Sequence, residues 1–118
     1  MDMTAAITSL SALAHEGRLA IFRLLVKTGP DGMAAGDIAK KLDTAANTMS
    51  AQLLVLANAD LVHARREGRS IIYAVDFDSM AGLLQFLARD CCNGRPEICA
   101  PLAATVNSCC PPKQKRRA

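Results

Sequence analysis

The chain has 118 residues, of which 51% are hydrophobic and 3% aromatic, and its formal net charge is +3. This length predicts one domain with a modest core. With so few aromatic side chains the core must be aliphatic, which favours packed helices over an aromatic-rich sheet sandwich. No apolar run approaches the ~20 residues that cross a bilayer, and no basic segment precedes an apolar stretch at the N-terminus. We therefore expect a cytoplasmic protein with no membrane partner.

Charge and cysteine are unevenly distributed along the chain. Residues 1–90 carry 9 Lys or Arg against 10 Asp or Glu, whereas residues 91–118 carry 5 against 1. The basic residues that could neutralise phosphates are local, at Lys40, Lys41 and residues 65–69. All five cysteines lie within 20 residues of one another. In a reducing compartment such a cluster indicates soft-metal capture or thiol chemistry more than structural disulfides.

The first predicted elements are three helices. Apolar residues at helical spacing predict one helix over about residues 3–14 and a second over residues 16–26, which ends in a Gly- and Pro-containing loop at residues 27–32. A short third helix carries the apolar positions of residues 38–42. It breaks at residues 43–44, whose Asp and Thr side chains can cap the helix that follows.

The fourth helix and the segment after it predict a DNA-binding unit. Met49, Leu53 and Leu56 repeat at i, i+4 and i+7 and give this helix a core face. A short helix, a tight polar break and this helix make a helix-turn-helix candidate. Residues 61–66 and 70–75 then predict two strands joined by a glycine-containing turn, which would form a β-hairpin, or wing, with arginines at its tip.

A fifth helix is predicted to start in residues 76–79 and to end near residues 91–92, because the glycine and proline that follow cannot comfortably continue it. We therefore expect a winged helix-turn-helix and dimerisation domain over residues 1–92 and a Cys-containing, irregular segment over residues 93–118. The predicted fold class is mainly α with a small β-hairpin, in the order α-α-α-α-β-β-α.

This order of elements and several local strings resemble the ArsR/SmtB family of metal-sensing winged-helix repressors. The resemblance covers about residues 7–90, and the order and spacing of the strings make it specific. The strings are residues 13–19, residues 37–39 with Leu42, residues 49–50, 53–56 and 60–62, and residues 65–69 with Tyr73.

The resemblance implies a homodimer held by the first and last helices, with the fourth helix in the major groove of a double-stranded operator. The expected dimer interface comprises Leu10, Leu13, Met80, Leu83, Leu84 and Leu87. The side chains expected to contact DNA are Thr44, Asn47, Thr48, Ser50 and Gln52, and Arg65, Arg66 and Arg69 of the wing. Gln52 is the best candidate for base recognition. The alternative for each group is a solvated surface, with Thr44 acting only as a cap.

The chain also departs from the pattern of this family. Many arsenic-responsive members open the third helix with Cys-x-Cys, where this chain has Ala-Ala-Gly at residues 34–36. Zinc-sensing members place Asp, His and Glu ligands along the fifth helix, but no His occurs between Asp76 and Asp90. The family often has His where this chain has Gln52, which leaves the base preference open.

The clustered cysteines are then the expected sensor. Trivalent arsenic prefers thiolate sulfur, and resemblance to arsenic-responsive repressors implies three sulfurs in a pyramid around it. Cys91, Cys92 and Cys99 offer three thiols within nine residues, at the end of a dimer-forming helix. Arsenite, with antimonite as a second candidate, is therefore the expected inducer. Cys109 and Cys110 are expected to be auxiliary soft-metal ligands or exposed thiols.

The same cysteines are compatible with two further functions. They could form a disulfide that switches DNA binding by redox state. A thiol-dependent arsenate reductase would use one as a nucleophile. However, no Arg follows Cys91, Cys92 or Cys99 at the spacing of its oxyanion cradle, and no Cys-x-x-Cys occurs. We therefore expect neither an enzyme nor an organic cofactor.

Overall fold

The computed structural model describes residues 2–88. All five cysteines lie outside the described residues, and so does the expected domain boundary between residues 92 and 93, which stays a prediction. The chain divides into two units, residues 1–84 and residues 85–118, and only residues 85–88 of the second unit are described.

Five helices and three strands make up the described part of the chain. The elements are α1 Met3–Leu13, α2 Glu16–Thr28, β1 Met33–Ala34, α3 Ala35–Lys41, α4 Ala46–Asn58, β2 Val62–Glu67, β3 Ser70–Val75 and α5 Phe77–Ala88. This arrangement confirms the predicted winged helix-turn-helix, with α3 and α4 as its two short helices and β2 and β3 as its wing.

The structure adds one short strand, β1, to the predicted order of elements. The two residues of β1 pair antiparallel with β3, with Met33 opposite Tyr73 and Ala34 opposite Ile72. Since β3 also pairs with β2, the sheet has three strands in the order β1-β3-β2. The wing is therefore hydrogen-bonded to the segment that leads into the helix-turn-helix.

The core joins α2, α3 and α4 to the base of the wing. Met49, Leu53 and Leu56 of α4 are buried, as their spacing predicted, and they belong to the same apolar cluster as Ile21 and Leu25 of α2. Burying such side chains is the main stabilising term for a domain of this size. One side of α4 is thereby fixed against the core, and the opposite side faces outward.

Helix α2 is capped by a histidine and runs two residues further than predicted. His15 Nδ1 accepts hydrogen bonds from the backbone N–H groups of Gly17 at 3.1 Å and Arg18 at 3.3 Å, and so caps two donors that the first turn leaves unpaired. The helix ends at Thr28, because Gly29 adopts a φ of 91° that a helix cannot continue.

The six residues expected at a dimer interface differ in how much surface they offer. Leu83 is 5% exposed in the single chain and therefore offers almost no surface to a second copy. Leu13 and Met80 are half-buried and pack against the core cluster. Leu10, Leu84 and Leu87 remain exposed. Within residues 2–88, no helix has the length and apolar character needed to cross a membrane.

Candidate nucleic-acid interface

The turn between α3 and α4 does not use the predicted side-chain cap. Asp43 adopts a φ of 52° and closes α3, and the Thr44 backbone N–H then donates to the Ala39 carbonyl at 2.9 Å. The Thr44 hydroxyl donates to the Leu42 carbonyl at 3.1 Å. Helix α4 is therefore preceded by Ala45, which makes no side-chain cap, and the capping prediction for residues 43–44 was wrong.

The outward side of α4 carries small, uncharged side chains. Asn47, Thr48 and Ser50 are exposed, and Asn47 Oδ1 accepts from the Thr48 N–H at 2.9 Å. At 100° per residue, Ala51 and Leu54 lie on the same side, opposite the core stripe, and both are exposed. Sequence reasoning missed these two, although methyl groups can contact the thymine methyl in a major groove. The side could therefore contact base edges by neutral hydrogen bonds and by apolar contact.

Gln52 lies at the flank of α4 rather than on its outward side. Its side chain is half-buried, and its Oε1 accepts from Arg18 Nη1 at 3.0 Å. The same guanidinium donates through Nε to the Ala12 carbonyl at 2.6 Å and through Nη2 to the Ser11 carbonyl at 3.5 Å. The residue favoured for base recognition is thus tied to α2 and to the end of α1.

The arginines of the wing are not equivalent. Arg65 Nε donates to Glu67 Oε2 at 2.7 Å, and its Nη2 donates to the Asp31 carbonyl at 2.9 Å. Arg66 and Arg69 are exposed and have no side-chain hydrogen bond or ion pair within the described part of the chain. They are therefore free to contact phosphates, whereas Arg65 first has to leave its own partners.

A second basic position lies at the last turn of α3. Lys40 and Lys41 are both exposed, and no residue between 2 and 88 forms an ion pair with either. Together with the wing, they place positive charge on the two elements that border α4 in sequence, while α4 itself has no charged residue. This is the charge pattern of a helix that contacts bases between elements that contact phosphates.

Known proteins that resemble the chain are regulators of transcription. A family model described as a helix-turn-helix domain matches residues 13–65. A biofilm growth-associated repressor from Agrobacterium fabrum is 38% identical over 79 residues, which are 66% of this chain and 64% of that repressor. The homodimeric winged helix-turn-helix DNA-binding domain of Mb0332 from Mycobacterium bovis, a possible ArsR-family transcriptional regulator, is 32% identical. That match covers 75% of this chain and 82% of that domain, with a TM-score of 0.61. The chain belongs to the ArsR family.

The chain is also similar to a second solved structure. A possible transcriptional regulator for arsenical resistance is 26% identical, and the match covers 67% of this chain and 79% of that one, with a TM-score of 0.60. Since these relatives are regulators and not enzymes, the ArsR-family chain is a DNA-binding transcriptional regulator.

Metal-ligating side chains do not form clusters of three or more in the described part of this chain. Between residues 2 and 88, no three His, Cys, Asp or Glu side chains come together in a metal-binding arrangement. His15 caps α2 and His63 lies exposed on β2. All of the chain's thiols lie in residues 91–110, outside the described residues.

Proposed function

We propose that this ArsR-family regulator is a homodimeric repressor that leaves its operator when trivalent arsenic or antimony binds Cys91, Cys92 and Cys99. The observation that carries the proposal is the confinement of every cysteine to residues 91–110, starting three residues after Ala88. A helix at a dimer interface is a place where ligation can change quaternary packing.

Repression requires a surface for DNA, and α4 with the wing supplies one. The outward side of α4 would enter the major groove, while Arg66 and Arg69 would hold phosphates or the minor groove. The Agrobacterium relative is itself described as a repressor, which supports this direction of control. The match covers 64% of that relative's length, and only its description as a repressor bears on this proposal.

The dimer is proposed from exposed apolar side chains on α1 and α5. On α1, Met3, Ile7 and Leu10 are 63%, 55% and 41% exposed and follow one another at helical spacing. On α5, Leu84 is 54% exposed. In an isolated chain these apolar side chains are exposed to water, which is unfavourable. A second copy packed against them would remove that surface from water. The Mycobacterium bovis neighbour is a homodimer, which supports the same assembly here.

The donor set suits arsenic because trivalent arsenic is soft and thiolate sulfur is the softest ligand a protein offers. Three thiols would replace the three hydroxyl groups of arsenous acid, and their three protons would leave with those hydroxyls as water. The neighbour described as a possible transcriptional regulator for arsenical resistance supports this choice of ligand. Cys109 and Cys110 are not needed for a three-sulfur site and are proposed as auxiliary ligands only.

The test is an arsenite titration of the fully reduced protein on its operator duplex, with single Cys→Ser variants. Cys91→Ser, Cys92→Ser and Cys99→Ser should each shift release to higher arsenite, because each removes one of three sulfurs. Cys109→Ser and Cys110→Ser are the comparison variants: release at wild-type arsenite identifies these two residues as exposed thiols, and a shift smaller than that of the trio identifies them as auxiliary ligands. Release by all three variants of the trio at wild-type arsenite would refute this ligand set.

A cysteine redox switch is the second candidate, and the adjacent pairs Cys91–Cys92 and Cys109–Cys110 favour it. Two thiols would give two electrons and two protons to hydrogen peroxide, which yields a disulfide and two waters. Peroxide would then release DNA with loss of two titratable thiols per event, and dithiothreitol would restore binding. Under the arsenic proposal, release instead occurs in excess monothiol reductant and needs no oxidant.

A further inference from the structure

Arg18 connects the end of α1 to the middle of α4. Its Nε and Nη2 donate to the Ala12 and Ser11 carbonyls at 2.6 and 3.5 Å, and its Nη1 donates to Gln52 Oε1 at 3.0 Å. The two carbonyls belong to the last turn of α1, where the helix dipole favours a positive charge, and the Ser11 carbonyl also accepts from the Ala14 backbone N–H at 3.2 Å. Since the guanidinium is planar and its donors point in fixed directions, these bonds together hold it in one orientation.

This contact decides which way the Gln52 amide is turned. A guanidinium has donors and no acceptor, so it can bind the amide oxygen but not the amide NH2. Rotating the amide by half a turn would place donor against donor and lose the hydrogen bond. Arg18 therefore holds Gln52 Oε1 toward itself and the NH2 group away.

The NH2 group of Gln52 lies in a groove beside the N-terminal half of α4. A Cβ placed on Gly17 would come within 3.9 Å of Gln52 Nε2, so the NH2 group lies next to the first turn of α2. The groove has a volume of about 450 Å³, and Thr44 and Thr48 also line it. No acceptor within the described chain pairs with this NH2 group, so both of its donors are available.

We infer that Arg18 is a positioning residue for base recognition, because it presents Gln52 to DNA as a hydrogen-bond donor. The inference rests on the proposed DNA-binding function. A free glutamine offers one donor and one acceptor, which match N7 and N6 of adenine. A glutamine held as a donor matches guanine better, since guanine offers two acceptors, N7 and O6, on the same edge. The hydrogen bond from Arg18 to Gln52 thus favours guanine over adenine at the contacted position. Loss of this hydrogen bond should remove that preference.

The experiment selects binding sites from a duplex DNA library with a random core, using the full-length protein. The affinity for each single-base variant of the selected site is then measured for wild type, Arg18→Met and Gln52→Glu. Arg23→Met is the matched control, because it removes an exposed guanidinium from the same helix. Thermal unfolding of each protein confirms that it is folded.

At one position in each half-site, wild type and Arg23→Met should prefer guanine over adenine by roughly five- to tenfold. In Arg18→Met this ratio should fall below about twofold, while preferences at other positions stay unchanged. Gln52→Glu keeps an acceptor for Arg18 but no donor, so it should change the preferred base to cytosine, whose N4 donates. If Arg18→Met does not fold, the wild-type preference still tests the inference, because a Gln52 that Arg18 does not orient would prefer adenine at this position.

Unchanged base preference in Gln52→Glu would overturn the inference. A uniform loss of affinity in folded Arg18→Met, with the guanine preference intact, would overturn it too, since that is the result of a purely structural role. Failure of the wild type to enrich any sequence is a different outcome, because it contradicts the proposed sequence-specific repressor itself.

Discussion

The wing arginines should differ in how much they contribute to DNA affinity. Arg66 and Arg69 have no partner within residues 2–88, whereas Arg65 is bonded to Glu67 and to the Asp31 carbonyl. Each phosphate contact adds about 0.9 to the slope of log affinity against log salt concentration. Because a dimer has two wings, Arg66→Ala or Arg69→Ala should remove two contacts and reduce the slope by about 1.8.

A slope change of this size is easily measured. Over a fourfold rise in salt, from about 50 to about 200 mM, it changes the affinity ratio of variant to wild type by about twelvefold. Fluorescence anisotropy of the operator duplex at several salt concentrations gives the slopes. Arg65→Ala and the control Arg23→Ala should keep a slope close to wild type. If Arg65→Ala reduces the slope as much as Arg66→Ala, the distinction drawn from the hydrogen bonds is refuted.

Three further predictions concern the scaffold and are read from the free energy of unfolding in chemical denaturation. His15→Ala should destabilise the fold by about 1 kcal/mol because α2 loses its cap, whereas His15→Asn should retain most of that stability; equal losses would contradict the cap. Gly32→Ala should lower the free energy of unfolding by clearly more than the roughly 1–2 kcal/mol expected from left-handed backbone strain alone. The added Cβ would also lie 2.5 Å from a backbone carbonyl of β3. Gly29→Ala, which has similar strain and open space, is its control, and equal costs for the two would refute the steric argument. Leu53→Ala should cost about 2–5 kcal/mol, since its side chain is fully buried, while the exposed Leu54→Ala should change stability by less than about 0.5 kcal/mol.

Periodicity and turn chemistry were sufficient to predict most of the fold. The spacing of Met49, Leu53 and Leu56 correctly predicted the buried side of α4, because residues three and four positions apart lie on one side of a helix. The glycine between two strand-like segments correctly gave the wing, where Gly68 adopts a φ of 62°. Strand β1 was missed because two residues show no alternation, and this strand exists only through pairing with a segment about 40 residues later.

The finer details of the interface could not be read from the sequence. Left-handed backbone at Asp43 closes α3 without glycine, so the cap expected from Asp43 and Thr44 did not form. The Arg18–Gln52 hydrogen bond joins residues 34 positions apart, and no local sequence pattern predicts such a contact. Leu83 shares its helical spacing with exposed leucines, and only the packing of the chain distinguishes it as buried.

The most direct test of the proposed function is the affinity of the purified, fully reduced protein for its operator with and without saturating arsenite. A coupling free energy of about 1–3 kcal/mol predicts that arsenite weakens binding by roughly 5- to 150-fold. Equal affinity in both conditions would contradict arsenic-controlled release, and the chain would remain a DNA-binding regulator with a different trigger.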